Sequence, residues 1–314
     1  MKVCISVDLD NYQDYQSLVK TELDCEPKSF YADAIPRFLD VFDRCDVKAT
    51  FFMIGRDAAG AKNGRIARQV AERGHEIGNH SFTHPYNFRG LSRAQKRAEI
   101  DQSQAAIEDV VGERPVGFRT PSCDLDLETL ELLAERGYLY DSSIFPTPLM
   151  WAFMLYGKLF VRRSEYQLGY LRSVFAPPRP YLPRADQLHR PCEAASAAGP
   201  RVVEIPVSVT PWLRLPFYST FSRLLGTRLF DWCLRVPRRE SELHMLFHML
   251  EMADFQGTAL ADAIENAPGI GVPLERRVSF ASHAIEALSR HGTCVPMREL
   301  AREHLAERGI LEAD

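Results

Sequence analysis

KATFFMIG at residues 48–55 and HEIGNHSFTH at 75–84 decide how this chain is organised. The first is an apolar, aromatic-rich run that stops at a glycine, and it reads as a strand buried on both faces. Between the two, Ile66 to Glu72 carries a helical pattern closed by Arg73-Gly74. HEIGNH then reads as another short strand. A strand, a helix and a strand in so short a span make one βαβ unit, which pairs its strands in parallel.

The same alternation extends outward. Lys2 to Val7 reads as a buried strand bounded by DLDN, and Ala34 to Phe42 places Ile35, Phe38, Leu39 and Phe42 at helical spacing. A long helix is expected from about Ser92 to Val111. RPVGFRT follows as a strand, LETLELLAERG as a helix and YLYDSSIF as a strand. Strand and helix alternate to about residue 145, which predicts an α/β fold with a parallel sheet or barrel. From Pro146 to Pro200 the regularity fails in a stretch rich in Pro, Arg and aromatic residues. Alternation returns with VVEIPVSV, a helix near Phe217 to Leu234, the strand LHMLFHML, a helix from about Leu274 to Arg290, TCVPM and a terminal helix. Residues 1–314 therefore read as a single domain with an irregular insertion at about 146–200.

Composition narrows the function classes. A net charge of -4 gives no footprint for nucleic acid. Seven cysteines without a CxxC pair suit a reducing compartment rather than a disulfide framework. MKVCISVDLD is too short an apolar run for a signal peptide, and no stretch approaches the roughly 18 apolar residues of a membrane span. The expectation is a cytoplasmic protein, with or without contact to the inner face of the membrane.

Candidate chemistry gathers at the C-terminal ends of the expected strands, where barrel folds carry their sites. His80 and His84 are four residues apart and would share one helical face, a spacing that can grip one metal ion. Asp8 and Asp10 alternate at the end of the first strand; one could complete a metal site while the other serves as a general base. By itself the DxD reads equally as an acidic turn. Arg119 could hold a site carboxylate ionised, or form a surface ion pair. His248 is polar in an apolar strand and reads as an acid–base group or as a satisfied core histidine; His244, four residues earlier, competes with it.

VDLD, HSFTH, FRTPS and a late FH strand, in this order and with ATFFMIG and ERGHEIGNHSFTH between them, resemble the polysaccharide deacetylase family (carbohydrate esterase family 4, the NodB-homology domain). The resemblance covers most of the chain outside 146–200. It implies a distorted (β/α)7-type barrel and one divalent metal, usually zinc, with cobalt or nickel as variants. It assigns Asp8 as general base, Asp10, His80 and His84 as metal ligands, Arg119 as the residue orienting the base, and His248 as general acid. The chain departs from the family pattern in having Leu9 between the aspartates. It also lacks an evident tryptophan motif; YDSSIF lies in its place, giving Asp141 a supporting role.

The implied reaction removes an N-acyl group, acetyl or formyl, from an amino sugar. LMWAFMLYGKLFVRR (149–163) and TPWLRLPFYSTFSRLLG (210–226) are apolar, aromatic and edged by arginines such as Arg162, Arg163 and Arg214. They read either as buried core or as a peripheral membrane contact. A cytoplasmic lipid-linked or nucleotide-linked glycan precursor fits these features as substrate. The competing readings are a metal-independent ring-amide hydrolase and a non-catalytic glycan- or lipid-binding barrel; the intact Asp10, His80 and His84 weigh against both.

Overall fold

The computed structural model describes residues 1–18, 29–149, 171–192, 201–256, 258, 260–261 and 271–311. The central strand β1 (Lys2–Asp8) is buried from Val3 onward. On one side it pairs along its whole length with a late strand, Glu242–His248, from Lys2 opposite Glu242 to Asp8 opposite His248. Its other side is shared. The C-terminal half pairs with β2 (Thr50–Met53), and the start pairs with the short strand Thr293–Cys294. Next come β3 (Glu76–Asn79), β4 (Gly117–Phe118), β5 (Tyr140–Asp141) and β6 (Val203–Glu204). With Glu242–His248 as β7 and Thr293–Cys294 as β8, the order is β6-β5-β4-β3-β2-β1-β7, every pair parallel. This is the expected α/β architecture, a curled (β/α)7-type sheet.

Closure between β6 and β7 is irregular. After β6 the chain carries Pro206, Pro211 and Pro216, which cannot donate to a ladder. Single bonds take over. Ser208 N donates to His244 O at 3.1 Å, Leu246 N donates to Phe217 O at 3.0 Å, and Tyr218 bridges Leu246.

Helices pack on the outside by their apolar stripes. The expected 34–42 helix runs from Tyr31 to Arg44 and buries Ile35, Phe38, Leu39 and Phe42. The helix Arg93–Val111 starts in a capping box between Ser92 and Gln95 and ends at Gly112, whose φ of 78° only glycine adopts freely. Its Ser103 lies against Gly55, where an added Cβ would fall 2.5 Å from the Ser103 Cα. Glycine at 55 therefore lets this helix approach the end of β2 at backbone contact.

Two expectations change. The helix expected over 217–234 is two helices, Ser219–Leu225 and Thr227–Arg235, because Gly226 turns the chain with φ 80° and ψ 164°. The strands expected from RPVGFRT and YLYDSSIF shorten to two residues each. Beyond them side chains replace the ladder: Ser143 N donates to Asp141 Oδ1 at 2.9 Å, and Thr120 N donates to Ser143 Oγ at 2.8 Å. No described helix is long and apolar enough to cross a membrane.

Candidate active site

Ser6 and Asp8 share one face of β1, and residues of the same parity on β7 stand beside them. The β1–β7 register sets Asp8 opposite His248 at the C-terminal end, and Cys4 opposite His244 further down. Asp10 lies just past the strand end, and both aspartates are buried.

The segment HSFTH is a loop, which corrects the expectation of a shared helical face. Ser81 and His84 have φ of 64° and 58°, and helix resumes only at Arg93. Side chains hold these left-handed turns. Asn79 Oδ1 accepts from Ser81 N at 2.9 Å, Ser81 Oγ accepts from His84 N at 3.2 Å, and Glu99 Oε2 accepts from Phe82 N and Thr83 N at 2.8 Å each. The tight loop brings the two imidazoles together, with ring centroids 4.9 Å apart.

Asp10 Oδ1 lies 3.4 Å from both His80 Nε2 and His84 Nε2. One ligand atom from each residue lies within 4.8 Å of the other two. A tetrahedral ion with ligands at about 2.0–2.1 Å would separate them by about 3.4 Å, so the set fits one small divalent cation. His80 Nδ1 lies 2.8 Å from the Arg119 carbonyl, which accepts its proton and leaves the Nε2 lone pair facing Asp10. Asp10 Oδ1 is buried with no hydrogen-bond donor. A cation would satisfy this oxygen together with both nitrogens.

Without a cation the cluster is strongly coupled. Burial alone would raise the Asp10 carboxyl. The charge of His84, the contacts of His80 and His84, and His248 beyond outweigh it and hold Asp10 well below the usual carboxylate range. For His84 burial favours the neutral ring, but Asp10, Asp14 and Asp8 prevail and push it up to about 9.

Asp8 is held from the other side. Arg119 is fully buried, and its Nη1 donates to Asp8 Oδ1 and, at 3.0 Å, to Ser6 Oγ. Nη2 donates to Ser142 Oγ at 2.9 Å and Nε to Ser142 O at 2.7 Å, while the guanidinium stacks 4.0 Å over the Phe52 ring. This fixes the fork and leaves Asp8 Oδ2 facing the site, 4.0 Å from His80 Nε2 and 3.9 Å from His248 Nε2. His248 Nε2 is also 3.7 Å from Asp10 Oδ2. Its side chain keeps 21% exposure at the mouth, with Tyr218 packed edge-on at 5.4 Å.

His244 belongs to the support rather than the mouth. Its Nδ1 donates to Pro206 O at 3.1 Å, and Nε2 accepts from Ser6 Oγ at 2.8 Å and from Arg119 Nη2 at 3.3 Å. Burial and the Arg119 charge push it down to about 3.

Asp141 stands one layer back. It accepts from Ser143 N and Oγ and faces Glu204 across the β5–β6 pairing. Burial raises the pair, Asp141 to about 6 and Glu204 well above its ordinary value. Glu204 Oε2 is buried without a donor, and the raised values of both groups favour retention of a proton by the pair.

The structure thus brings Asp8, Asp10, His80, His84, Arg119 and His248 to one mouth. Ser6, Ser142, Asn79 and Glu99 were not singled out from the sequence; isolated serines and one glutamate in a polar helix carry no distinguishing pattern.

Residues 24–140 match the model of the polysaccharide deacetylase family. Over that stretch the chain is similar to this family. Among similar proteins, the peptidoglycan-N-acetylglucosamine deacetylase of Bacillus cereus is 30% identical over 104 residues, 33% of this chain and 37% of that protein. An uncharacterized Bacillus subtilis protein, YlxY, is 31% identical over 102 residues, 32% of this chain and 31% of that one. The chain therefore spans about a third of the length of these relatives. A crystal structure from Mycobacterium smegmatis, assigned to the polysaccharide deacetylases, superimposes with a TM-score of 0.56 at 18% identity. It covers 100% of this chain and 92% of that one, and it supports the fold.

Proposed function

We propose that the chain hydrolyses an N-acyl group, acetyl or formyl, from an amino sugar, using one divalent cation, most simply zinc, held by Asp10, His80 and His84. The observation that carries this reading is the placement of Asp8. One oxygen is bound to the buried Arg119, while the other faces both the three-ligand cluster and His248. When bound, the cation would supply Lewis acidity toward the acyl oxygen and toward a water molecule.

The chain's own residues divide the remaining work. Asp8 Oδ2 takes the proton of the attacking water. Arg119 aims that carboxylate, since its Oδ1 is already occupied. His248 reaches solvent and the carboxylates together, and it donates a proton to the departing amine, a poor leaving group as an anion. His244 cannot take that part, being neutral and enclosed.

In this reading residues 1–314 form one catalytic domain carrying an insertion at about 146–200. The favoured substrate is a cytoplasmic lipid-linked or nucleotide-linked amino-sugar precursor. The segment 149–163, Leu149 excepted, lies outside the described residues. In 210–226, Trp212 and Leu213 are 90% and 65% exposed while Phe217 is buried, so that stretch supports both surface and core.

Incubating the metal-loaded protein with N-acetylated amino-sugar oligomers and with lipid- and nucleotide-linked amino sugars, followed by mass spectrometry, tests the reaction. Loss of one acetyl or formyl mass, abolished by a chelator and by Asp8→Asn, is expected. Turnover unchanged by Asp8→Asn would overturn it.

A further inference from the structure

A cavity of about 1220 Å3 is walled in part by the loops that follow β3 and β4, and neither Asp8, Asp10, His80, His84 nor His248 lines it. Arg89, Arg172, Arg190 and Arg214 stand in its wall, with buried Leu125 and Leu188 and the exposed Phe175 as apolar surface. The wall grows from the loops that build the centre. Arg89 follows His84 in the same connection, and Leu125 follows Arg119 beyond β4.

Its charge is unbalanced. The acidic wall residues are already satisfied from outside the cavity. Lys96 Nζ reaches Asp126 at 2.6 Å and Glu128 at 2.9 Å, and Arg184 holds Asp186 at 3.0 and 3.2 Å. Arg89 faces Asp124 at 3.4 Å. Arg214 is spent on the backbone, donating to Ala176 O at 3.2 Å and Pro146 O at 3.4 Å, with Glu240 acting on its charge from beyond ion-pair distance. Arg172 and Arg190 are exposed and enter no ion pair among the described residues. His189 also lies in the wall, held down at about 4 by burial and by the charge of Arg172.

We infer that this cavity binds a phosphate or pyrophosphate group, the charged portion of an amino-sugar precursor whose amide reaches the Asp8 centre. Guanidinium forks match phosphate oxygens two at a time, and two forks without ion-pair partners suit a group carrying more than one negative charge. The attachment of that anion to an acylated amino sugar rests on the proposed function; the anion site itself does not.

Titration calorimetry with inorganic pyrophosphate, on the zinc-loaded full chain, tests it. The wild type is expected to bind one equivalent, and Arg172→Gln/Arg190→Gln to bind at least about tenfold more weakly, with metal content and melting temperature retained because both residues are exposed. Absence of binding by the wild type, or equal affinity of the variant, overturns the inference. Displacement of pyrophosphate by a nucleoside diphosphate supports a soluble carrier. Displacement by phosphatidic acid vesicles but not by the nucleoside diphosphate supports a lipid carrier, and displacement by neither overturns the assignment. Pyrophosphate binding without amide hydrolysis would remove the proposed function alone, and hydrolysis without pyrophosphate binding would remove this inference alone.

Discussion

Arg119 and Asp8 form a buried ion pair in which one guanidinium nitrogen holds one carboxylate oxygen and leaves the other oxygen to the site. Because Ser6, Ser142 and the Phe52 ring fix the fork, a change of donor geometry is felt at Asp8 directly. Arg119→Lys keeps the charge but loses the two-sided grip. It should cut turnover by about 10²-fold or more while metal content stays near one per chain, and Arg119→Gln should also cost about 3–5 kcal/mol of stability. Kinetics, elemental analysis and urea unfolding on the same preparations check this; wild-type turnover in Arg119→Lys would remove the orienting role.

The cation set gives a second expectation. His80→Ala/His84→Ala should lose the divalent ion and all measurable hydrolysis, while Asp8→Asn should keep the ion and lose about 10²–10⁴ in turnover. Ligation needs neutral imidazoles, and the metal-free protein protonates His84 up to about pH 9, so apparent affinity should rise with pH across the neutral range. Zinc titrations at several pH values read this, and a flat profile would contradict it.

His248 and His244 separate by kind of effect. His248→Ala should lower turnover by about 10²–10⁴ with little loss of stability, being a rim residue with 21% exposure. His244→Ala leaves Ser6 and Arg119 short of a partner and should show mainly as a loss of about 1–3 kcal/mol. If His244→Ala loses turnover as deeply as His248→Ala without unfolding more readily, the division of roles is wrong.

Asp141 and Glu204 predict a pH dependence of stability. Folding raises the Asp141 pKa to about 6, above the roughly 3.9 of an unfolded chain. The folded state therefore binds this proton more tightly. Stability falls as pH rises from about 4 through 6, and the penalty is fully present above that; the raised Glu204 extends the loss upward. Glu204→Gln keeps an acceptor for Ile144 N and removes one of the paired charges. Its urea midpoint should fall less than that of the wild type between pH 5 and pH 8. Parallel curves for the two metal-free proteins would refute retention of a proton by the pair.

The exposed pair Trp212 and Leu213 bears on the membrane reading. Trp212 and Arg214 have φ of 59° and 49°, so the turn presents apolar side chains outward rather than packing them. If this tip enters the interface, the protein should float with anionic liposomes, and Trp212→Ser/Leu213→Ser should weaken that binding at least about tenfold. Equal flotation of both proteins would place the contact elsewhere.

The sequence by itself determined the order of strands and helices and the position of the acidic and imidazole groups at strand ends. Those features follow from local periodicity: a run such as KATFFMIG is buried whichever partner it finds, and a residue after a strand must leave the sheet. Tertiary structure decided how the groups meet. HSFTH has the spacing of a helical pair, yet Glu99 and Asn79, from other elements, join Ser81 in binding its backbone into a left-handed loop that the spacing alone does not specify. His244 and His248 share one strand face and one periodicity, so their roles could not be told apart by pattern. The β1–β7 register did so, setting one beside Asp8 at the wet end and the other beside Cys4 under the Arg119 fork. Ser6, Ser142 and Glu204 became functional neighbours only through strand pairing between distant segments, because the fold alone brings their partners within hydrogen-bonding reach.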